Sequence, residues 1–388
     1  MRKIKKIGVL FLCVLLLIPL FSVPVGSTNS IPSTVAAPSV SAQSAILIEG
    51  GGCSPIYQKN ADEIRPMAST TKIMTALVAI ERAPLDTVIA APACAISTEG
   101  SSIYLIEGEQ LTLEQLLYAL MLESANDAAV AIAVGLAGSV EEFANWMNEK
   151  ATALGLVNTH FTNPHGLDHE AHYTTARELA IITAHALKNE SFRSIAATRK
   201  ITIPHAGTSG VRLLVNHNKM LRLYEDCIGV KTGYTKKSGR CLVSAAERDG
   251  VTVIAVTLSA PDDWNDHQKM LDYGFHRYQS VTLCEAGDFQ FPLSVVGGTD
   301  AYVTLRNLEG FQAVLPIDHG EISYTVEARR FEYAPICAGD VLGRVNFYQT
   351  ANGTREYLGS VNLTAEFSIS QKPHKKGLFK RFLELLGF

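Results

Sequence analysis

Three short runs could do chemistry together: Ser69-Thr70-Thr71-Lys72, Ser124-Ala125-Asn126 and Lys231-Thr232-Gly233. A serine three residues before a lysine puts a nucleophile and its base on one face of a helix. A lysine near its ordinary pKa of about 10.4 is a poor base at neutral pH, so Lys72 has to be desolvated or set beside another cation, such as Lys231. Ser124 can relay a proton toward a leaving group, and the Asn126 amide can bind a substrate carbonyl or hold Lys72. A cation and a hydroxyl at a strand edge, Lys231 and Thr232, suit a terminal carboxylate, with Gly233 allowing close approach. Taken singly, each run has a plainer reading: Ser69, Ser124 or Asn126 as helix caps, Lys231 as a lysine on an exposed hairpin. A phosphate-binding loop is excluded, because Val230 stands where that motif requires glycine. The ordered trio points to acyl transfer through a serine.

The elements that must position these groups can be read around them. Ile73, Met74, Leu77 and Val78 recur at helical spacing, so a helix starts near Ser69 and offers its N-terminal N–H groups to an oxyanion. Apolar helical stretches over Leu113–Leu122 and Ala128–Leu136 leave Ser124-Ala125-Asn126 on their connection. Ile228-Gly229-Val230 and Leu242–Ala246 read as strands joined across Thr235–Gly239. A first hairpin is expected from Ala45–Ile48 and Ile56-Tyr57, helices dominate to about Ala197, and strands return at Ile201–Ile203 and Val251–Leu258 before a helix around Trp264–Tyr278. This is an α/β domain whose sheet is assembled from both ends of the segment. After Ser280 the short alternating stretches Tyr302–Leu305, Val341–Tyr348 and Tyr357–Leu363, with a turn at Ala351–Thr354, read as a small all-β domain.

On these three runs, and on the stretches Ala68–Glu81, Thr98–Leu105, Leu116–Ala133, Asn163–Asp168 and Gly229–Gly250, the chain resembles the low-molecular-mass penicillin-binding proteins of the D-alanyl-D-alanine carboxypeptidase family. The resemblance covers roughly Ala45 to Ser280. It implies a serine transpeptidase/β-lactamase-like fold, an antiparallel sheet with helices on both faces and a helical insertion, followed by the small β domain. It implies Ser69 as acylated nucleophile, Lys72 as general base, Ser124 and Asn126 as the second motif, and Lys231, Thr232 and Gly233 at the substrate carboxylate. The backbone N–H groups of Ser69 and Tyr234 would form the oxyanion hole. Peptidoglycan stem peptides are the implied substrates and β-lactams the acylating inhibitors, with no cofactor and no metal. Ala125 departs from the glycine of many members, and His217 stands where some relatives carry an arginine.

Alternatives remain at this stage. A serine β-lactamase of class A needs a glutamate with an asparagine four residues on, yet between Gly155 and Thr175 the only glutamate is Glu170, followed at that spacing by Thr174. A non-hydrolysing sensor is the further alternative. His160, His165, His169 and His172 crowd together, but Pro164 and Gly166 argue against the continuous helix that metal-ligand spacing would need.

The ends of the chain speak to location. Arg2, Lys3, Lys5 and Lys6, the apolar run Ile7–Leu20 and the small residues of Ser22–Ser30 read as a secretion signal over residues 1–30. Residues 31–44 read as a linker, 45–282 as the catalytic domain, 283–369 as the β domain and 370–388 as a tail. In the tail Leu378, Phe379, Phe382, Leu383 and Leu386 share a helical face beside Lys375, Lys376, Lys380 and Arg381, the pattern of an amphipathic anchor at an anionic membrane surface. The formal charge of −4, made more negative without the four basic N-terminal residues, argues against nucleic acid. Export would leave six cysteines where disulfides are permitted, but a Cys227–Cys241 bridge is improbable because a strand separates them by more than disulfide reach.

Overall fold

The computed structural model describes residues 36–205, 210–351 and 353–373. The expected signal segment, the first residues of the expected linker and most of the expected tail lie outside these. The described chain forms two compact units, one of residues 36–280 with 314–317 and one of 281–313 with 318–373.

The first unit is built on a five-stranded antiparallel sheet of β1 (Ser44–Glu49), β2 (Pro55–Lys59), β3 (Cys227–Thr235), β4 (Gly239–Arg248) and β5 (Val251–Leu258), in the order β2-β1-β5-β4-β3. The two strands contributed by the start of the unit lie beside the three contributed by its end. β1 is buried throughout, and the alternation of its apolar residues Ala45–Ile48 splits between two cores. Ile46 and Ile48 enter the larger one, while Ala45 and Leu47 enter the smaller. A strand buried on both faces needs cover on both.

The smaller core is closed by α7 (Asp263–Phe275), which contributes Met270 and Leu271. Helices α1 (Lys72–Arg82), α2 (Leu113–Leu122), α3 (Asn126–Ala137), α4 (Val140–Ala153), α5 (Ala176–Ala186) and α6 (Glu190–Ala197) supply the larger core. Their limits follow local chemistry. Thr112 and Gln115 form a reciprocal capping box at the start of α2, and Gly138 ends α3 in the left-handed conformation at φ 83°.

The segment expected as a linker is docked over its described part. Ser41 N lies 2.9 Å from both Asp266 carboxylate oxygens, Ala42 N donates to Oδ2 at 3.2 Å, and Val40 and Ala42 are buried. Its charge-free composition gave no hint of this, because the docking rests on backbone N–H groups that meet a distant carboxylate.

The second unit carries a six-stranded sheet of β6 (Gln290–Val296), β7 (Tyr302–Arg306), β8 (Glu321–Ala328), β9 (Phe331–Tyr333), β10 (Val341–Ala351) and β11 (Thr354–Ala365), ordered β8-β10-β11-β7-β6-β9. Ala351 pairs with Thr354 across the expected turn. Phe289, Phe311, Tyr324 and Phe347 pack edge to face or tilted in its core.

Candidate active site

Ser69 sits in a 3-10 turn, Ala68–Thr71, that leads directly into α1. Its side chain makes no capping bond, so the plain reading of Ser69 as an N-cap fails. The residue before it, Ala68, has φ 47°, a left-handed backbone that a side-chain-bearing residue adopts only when its surroundings enforce it. Two neighbours do so. Thr71 Oγ1 donates to the Ala68 carbonyl at 2.8 Å, and Gly166 packs directly against it.

Lys72 is fully buried, and its Nζ has three oxygen neighbours: Ser69 Oγ at 3.1 Å, Asn126 Oδ1 at 2.7 Å and the His165 carbonyl at 2.6 Å. A neutral amine has two N–H bonds and one lone pair. Donation to Asn126 and His165 uses the two hydrogens and turns the lone pair to the Ser69 hydroxyl. Burial, then the charge of Lys231, hold the Lys72 pKa well below the ordinary lysine value, against an opposing pull from Asp127. The deprotonated amine is therefore easier to reach than in an exposed lysine, the direction a base requires.

The second run folds as a tight turn between α2 and α3, with Ser124 at φ 58°. Asn126 is the first residue of α3 rather than part of the connection, and Ala125, with no side-chain bond, occupies the cap position. Asn126 Nδ2 donates to the Glu99 carbonyl at 2.6 Å, and its backbone N donates to Ser101 O at 2.7 Å. These bonds fix the amide so that Oδ1 faces Lys72. Asp127 anchors the same loop, accepting from Ser102 Oγ and from the backbone N–H groups of Ile103 and Leu105.

The third run lies on β3, the edge strand. Lys231 is 1 % exposed and donates to the Thr232 carbonyl at 3.2 Å. Burial lowers its pKa to about 7, against the upward pull of Glu123. Glu123 in turn accepts from Val215 N at 2.6 Å and pairs with His217 Nε2 at 3.1 Å. Gly233 is what lets β3 close on the nucleophile turn, since a Cβ there would sit 3.0 Å from Ser69 N and 3.1 Å from Thr70 N.

Together these elements enclose an open cleft of about 350 Å³ lined by Ser69, Ser124, His217, Thr232, Gly233 and Tyr234, among others. Lys72, Asn126 and Lys231 are buried beside it. The three runs that are far apart in sequence thus meet at one place.

The sequence profile described as D-alanyl-D-alanine carboxypeptidase matches residues 31–262. The chain belongs to the D-alanyl-D-alanine carboxypeptidase family. It is a serine peptidase of the low-molecular-mass penicillin-binding kind. The chain is similar to D-alanyl-D-alanine carboxypeptidase DacF of Bacillus subtilis, at 34% identity over 312 residues, covering 78% of this chain and 80% of that protein. It is 37% identical over 270 residues to a D-alanyl-D-alanine carboxypeptidase of a Streptomyces species, covering 64% of this chain and 93% of that one. Among solved structures, penicillin binding protein 5 from Haemophilus influenzae superposes with a TM-score of 0.65 at 26% identity, covering 87% of this chain and all, 100%, of the other. The expected fold, a sheet flanked by helices with a following β domain, is the fold found.

Several contributors escaped the sequence reading. The His165 carbonyl and Gly166 belong to the histidine-rich segment, whose imidazoles were the visible feature. Those imidazoles build the loop. Thr162 N donates to His172 Nδ1 at 3.0 Å, so the neutral ring carries its hydrogen on Nε2 and donates to Thr71 Oγ1 at 2.8 Å. Burial pushes the His172 pKa down to about 3 and that of His165 to about 4. His160 Nδ1 bonds the Ala171 carbonyl, and His169 Nδ1 accepts from Ala171 N. No group of metal-ligating side chains occurs among the described residues. Of the six cysteines among the described residues, none is bridged, and Cys241 and Cys227 face Gly233 and Ala246 across the β3–β4 ladder.

Proposed function

We propose that this serine peptidase removes the terminal D-alanine of peptidoglycan stem peptides, with Ser69 as nucleophile and Lys72 as its base. The observation that carries the assignment is the three-way setting of Lys72 Nζ, which leaves a lone pair for the Ser69 hydroxyl. Lys72 takes the hydroxyl proton as Ser69 Oγ attacks the penultimate carbonyl. The developing oxyanion is held by the backbone N–H groups of Ser69 and Tyr234. The proton then passes to the departing D-alanine nitrogen, with Ser124 in the cleft as relay. Lys231 and Thr232 bind the terminal carboxylate, and Asn126 fixes Lys72 and meets the donor's amide. Water admitted after D-alanine leaves is activated by the same amine and hydrolyses the acyl-enzyme. Penicillins acylate Ser69 by the first half of this sequence.

A class A β-lactamase would need a glutamate to drive rapid deacylation, and Glu170, the glutamate of the relevant loop, is exposed to solvent. The test is release of D-alanine from a peptide ending in D-Ala-D-Ala, with Ser69→Ala as control. No release from the intact enzyme together with rapid turnover of penicillin would replace this reading by a β-lactamase.

The same proposal places the protein outside the cytoplasmic membrane, exported by the segment 1–30 and held peripherally by the amphipathic tail. Residues 374–388 lie outside the described ones, so the support is the sequence pattern. Truncation after Gln371 should release the protein from membranes once the N-terminal segment has been cleaved.

A further inference from the structure

Two basic side chains line the catalytic cleft, His217 and Arg240. His217 is engaged, with Nε2 3.1 Å from Glu123 Oε2. Arg240 is open: its side chain is 43% exposed, and its one hydrogen bond among the described residues runs from Nη2 to Asp263 Oδ1 at 2.6 Å. A guanidinium has five N–H bonds, so most of them remain for a ligand. Neither the three runs nor their spacing drew attention to this residue.

The surroundings of Arg240 fix its direction. Asp263, the first residue of α7, has a side chain only 4% exposed, and its Oδ1 accepts from Arg240 and from Trp264 N at 2.9 Å. The guanidinium carbon lies 5.6 Å from the centre of the Trp264 ring, and Asp263 and Trp264 both line the cleft. A planar fork held by a buried carboxylate and an aromatic face has little freedom left to lose on binding. The strand register sets its position. Arg240 pairs with Tyr234 across β3 and β4, and Leu242 pairs with Thr232. Thr232 and Tyr234, two residues apart, share one face of β3, so Arg240 is the diagonal neighbour of Thr232 on that face. Diagonal neighbours stand about 7–8 Å apart, within reach of a long side chain.

We propose that Arg240 is a specificity-determining residue that receives the substrate's terminal carboxylate beside Thr232, with Asp263 as its positioning residue. This rests on the reading that Lys231 and Thr232 bind that carboxylate. The cation that some relatives carry at the position of His217 is then supplied in this chain from β4. A guanidinium meets a carboxylate in a forked pair, which a lysine or an imidazole cannot form. It also stays charged at every working pH, whereas Lys231, lowered by burial to about 7, is only partly protonated at neutrality. Asp263 offsets part of the arginine's charge, and what it contributes is the orientation of the remaining N–H bonds.

The test compares a peptide ending in D-Ala-D-Ala with the same peptide amidated at its C-terminus, measuring release of D-alanine and of D-alaninamide. Arg240→Gln should lower kcat/KM for the free acid at least about tenfold, mainly through KM, and change that for the amide by less than about twofold. The acid-to-amide ratio therefore collapses. Arg240→Lys should recover part of the ratio, because the charge returns without the fork. Asp263→Asn should lower the ratio by less than Arg240→Gln does, a selective change that general loss of stability does not produce. An equal fall for acid and amide in Arg240→Gln, or a ratio that stays at the parent's value, overturns the proposal. Acylation of Ser69 by benzylpenicillin and by its methyl ester repeats the comparison without D-alanine release. A ratio that falls there in Arg240→Gln upholds the carboxylate contact even where the parent releases no D-alanine, so failure of the peptidase reading and failure of this one are told apart.

Discussion

Gly166 stands so close to Ala68 that a Cβ built on it would lie 2.0 Å from the Ala68 carbonyl oxygen and 2.8 Å from Thr71 Oγ1. The contact is backbone against backbone, so neither side can rotate away. It ties the loop whose His165 carbonyl holds Lys72 to the turn that presents Ser69. Its φ of 91° adds a conformational reason for glycine. Gly166→Ala must therefore displace the nucleophile, the base or both. Since a misplacement of about 1 Å can cost on the order of 100-fold in rate, kcat/KM for D-alanine release should fall by at least that factor. Penicillin acylation should fall in parallel. Near-native activity in the purified variant would show that the two segments move together.

Asn126 holds Lys72 as a neutral acceptor, so this contact itself adds no negative charge that would stabilise the ammonium. Replacing it by aspartate puts a carboxylate at the 2.7 Å contact and favours the ammonium form. The Lys72 pKa should rise. Because the proposed base acts deprotonated, the ascending limb of the acylation rate against pH should move to higher pH. An unmoved limb would mean that Lys72 is not the group that titrates there.

In the proposed function Lys231 binds carboxylate in its protonated form, and burial lowers its pKa to about 7. In the free enzyme this produces a falling limb of kcat/KM as pH rises through that value. Glu123 opposes the effect of burial. Glu123→Gln should lower the Lys231 pKa further and move the falling limb to lower pH, with the loss seen mainly in KM. Steady-state kinetics from pH 5 to 9 test this, and a shift in the opposite direction contradicts it.

His172 is buried neutral, with burial pushing its folded pKa down to about 3 against the ordinary value of 6.5. Protonation is easier in the unfolded chain, so its contribution is intact above pH 6.5 and is lost progressively as pH falls toward 3. His172→Gln removes that titration. At pH 7 the variant should melt lower than the parent, because the link between Thr162 and Thr71 is broken. Between pH 6.5 and 4 its Tm should fall less steeply. Parallel curves for the two proteins would assign the acid sensitivity to other groups.

The sequence by itself determined the local pieces. The periodicity of Ile73, Met74, Leu77 and Val78 fixed α1, the capping pair Thr112 and Gln115 fixed the start of α2, and the Lys-Thr-Gly hairpin was legible from its flanking strands. These signals are short-ranged, because helix and hairpin geometry are set by neighbours a few residues apart. The residue types of the three runs also announced their chemistry. Only the tertiary structure decided that the Lys72 pKa lies well below the ordinary lysine value. That property comes from burial and from Lys231, and the amine is positioned by a carbonyl at His165 that lies 93 residues away. A backbone carbonyl carries no mark of its residue type, and a glycine such as Gly166 reads as a loop residue until its neighbour is known. Long-range contacts of this kind leave no periodic trace, and so the scaffold of the base was decided by the fold alone.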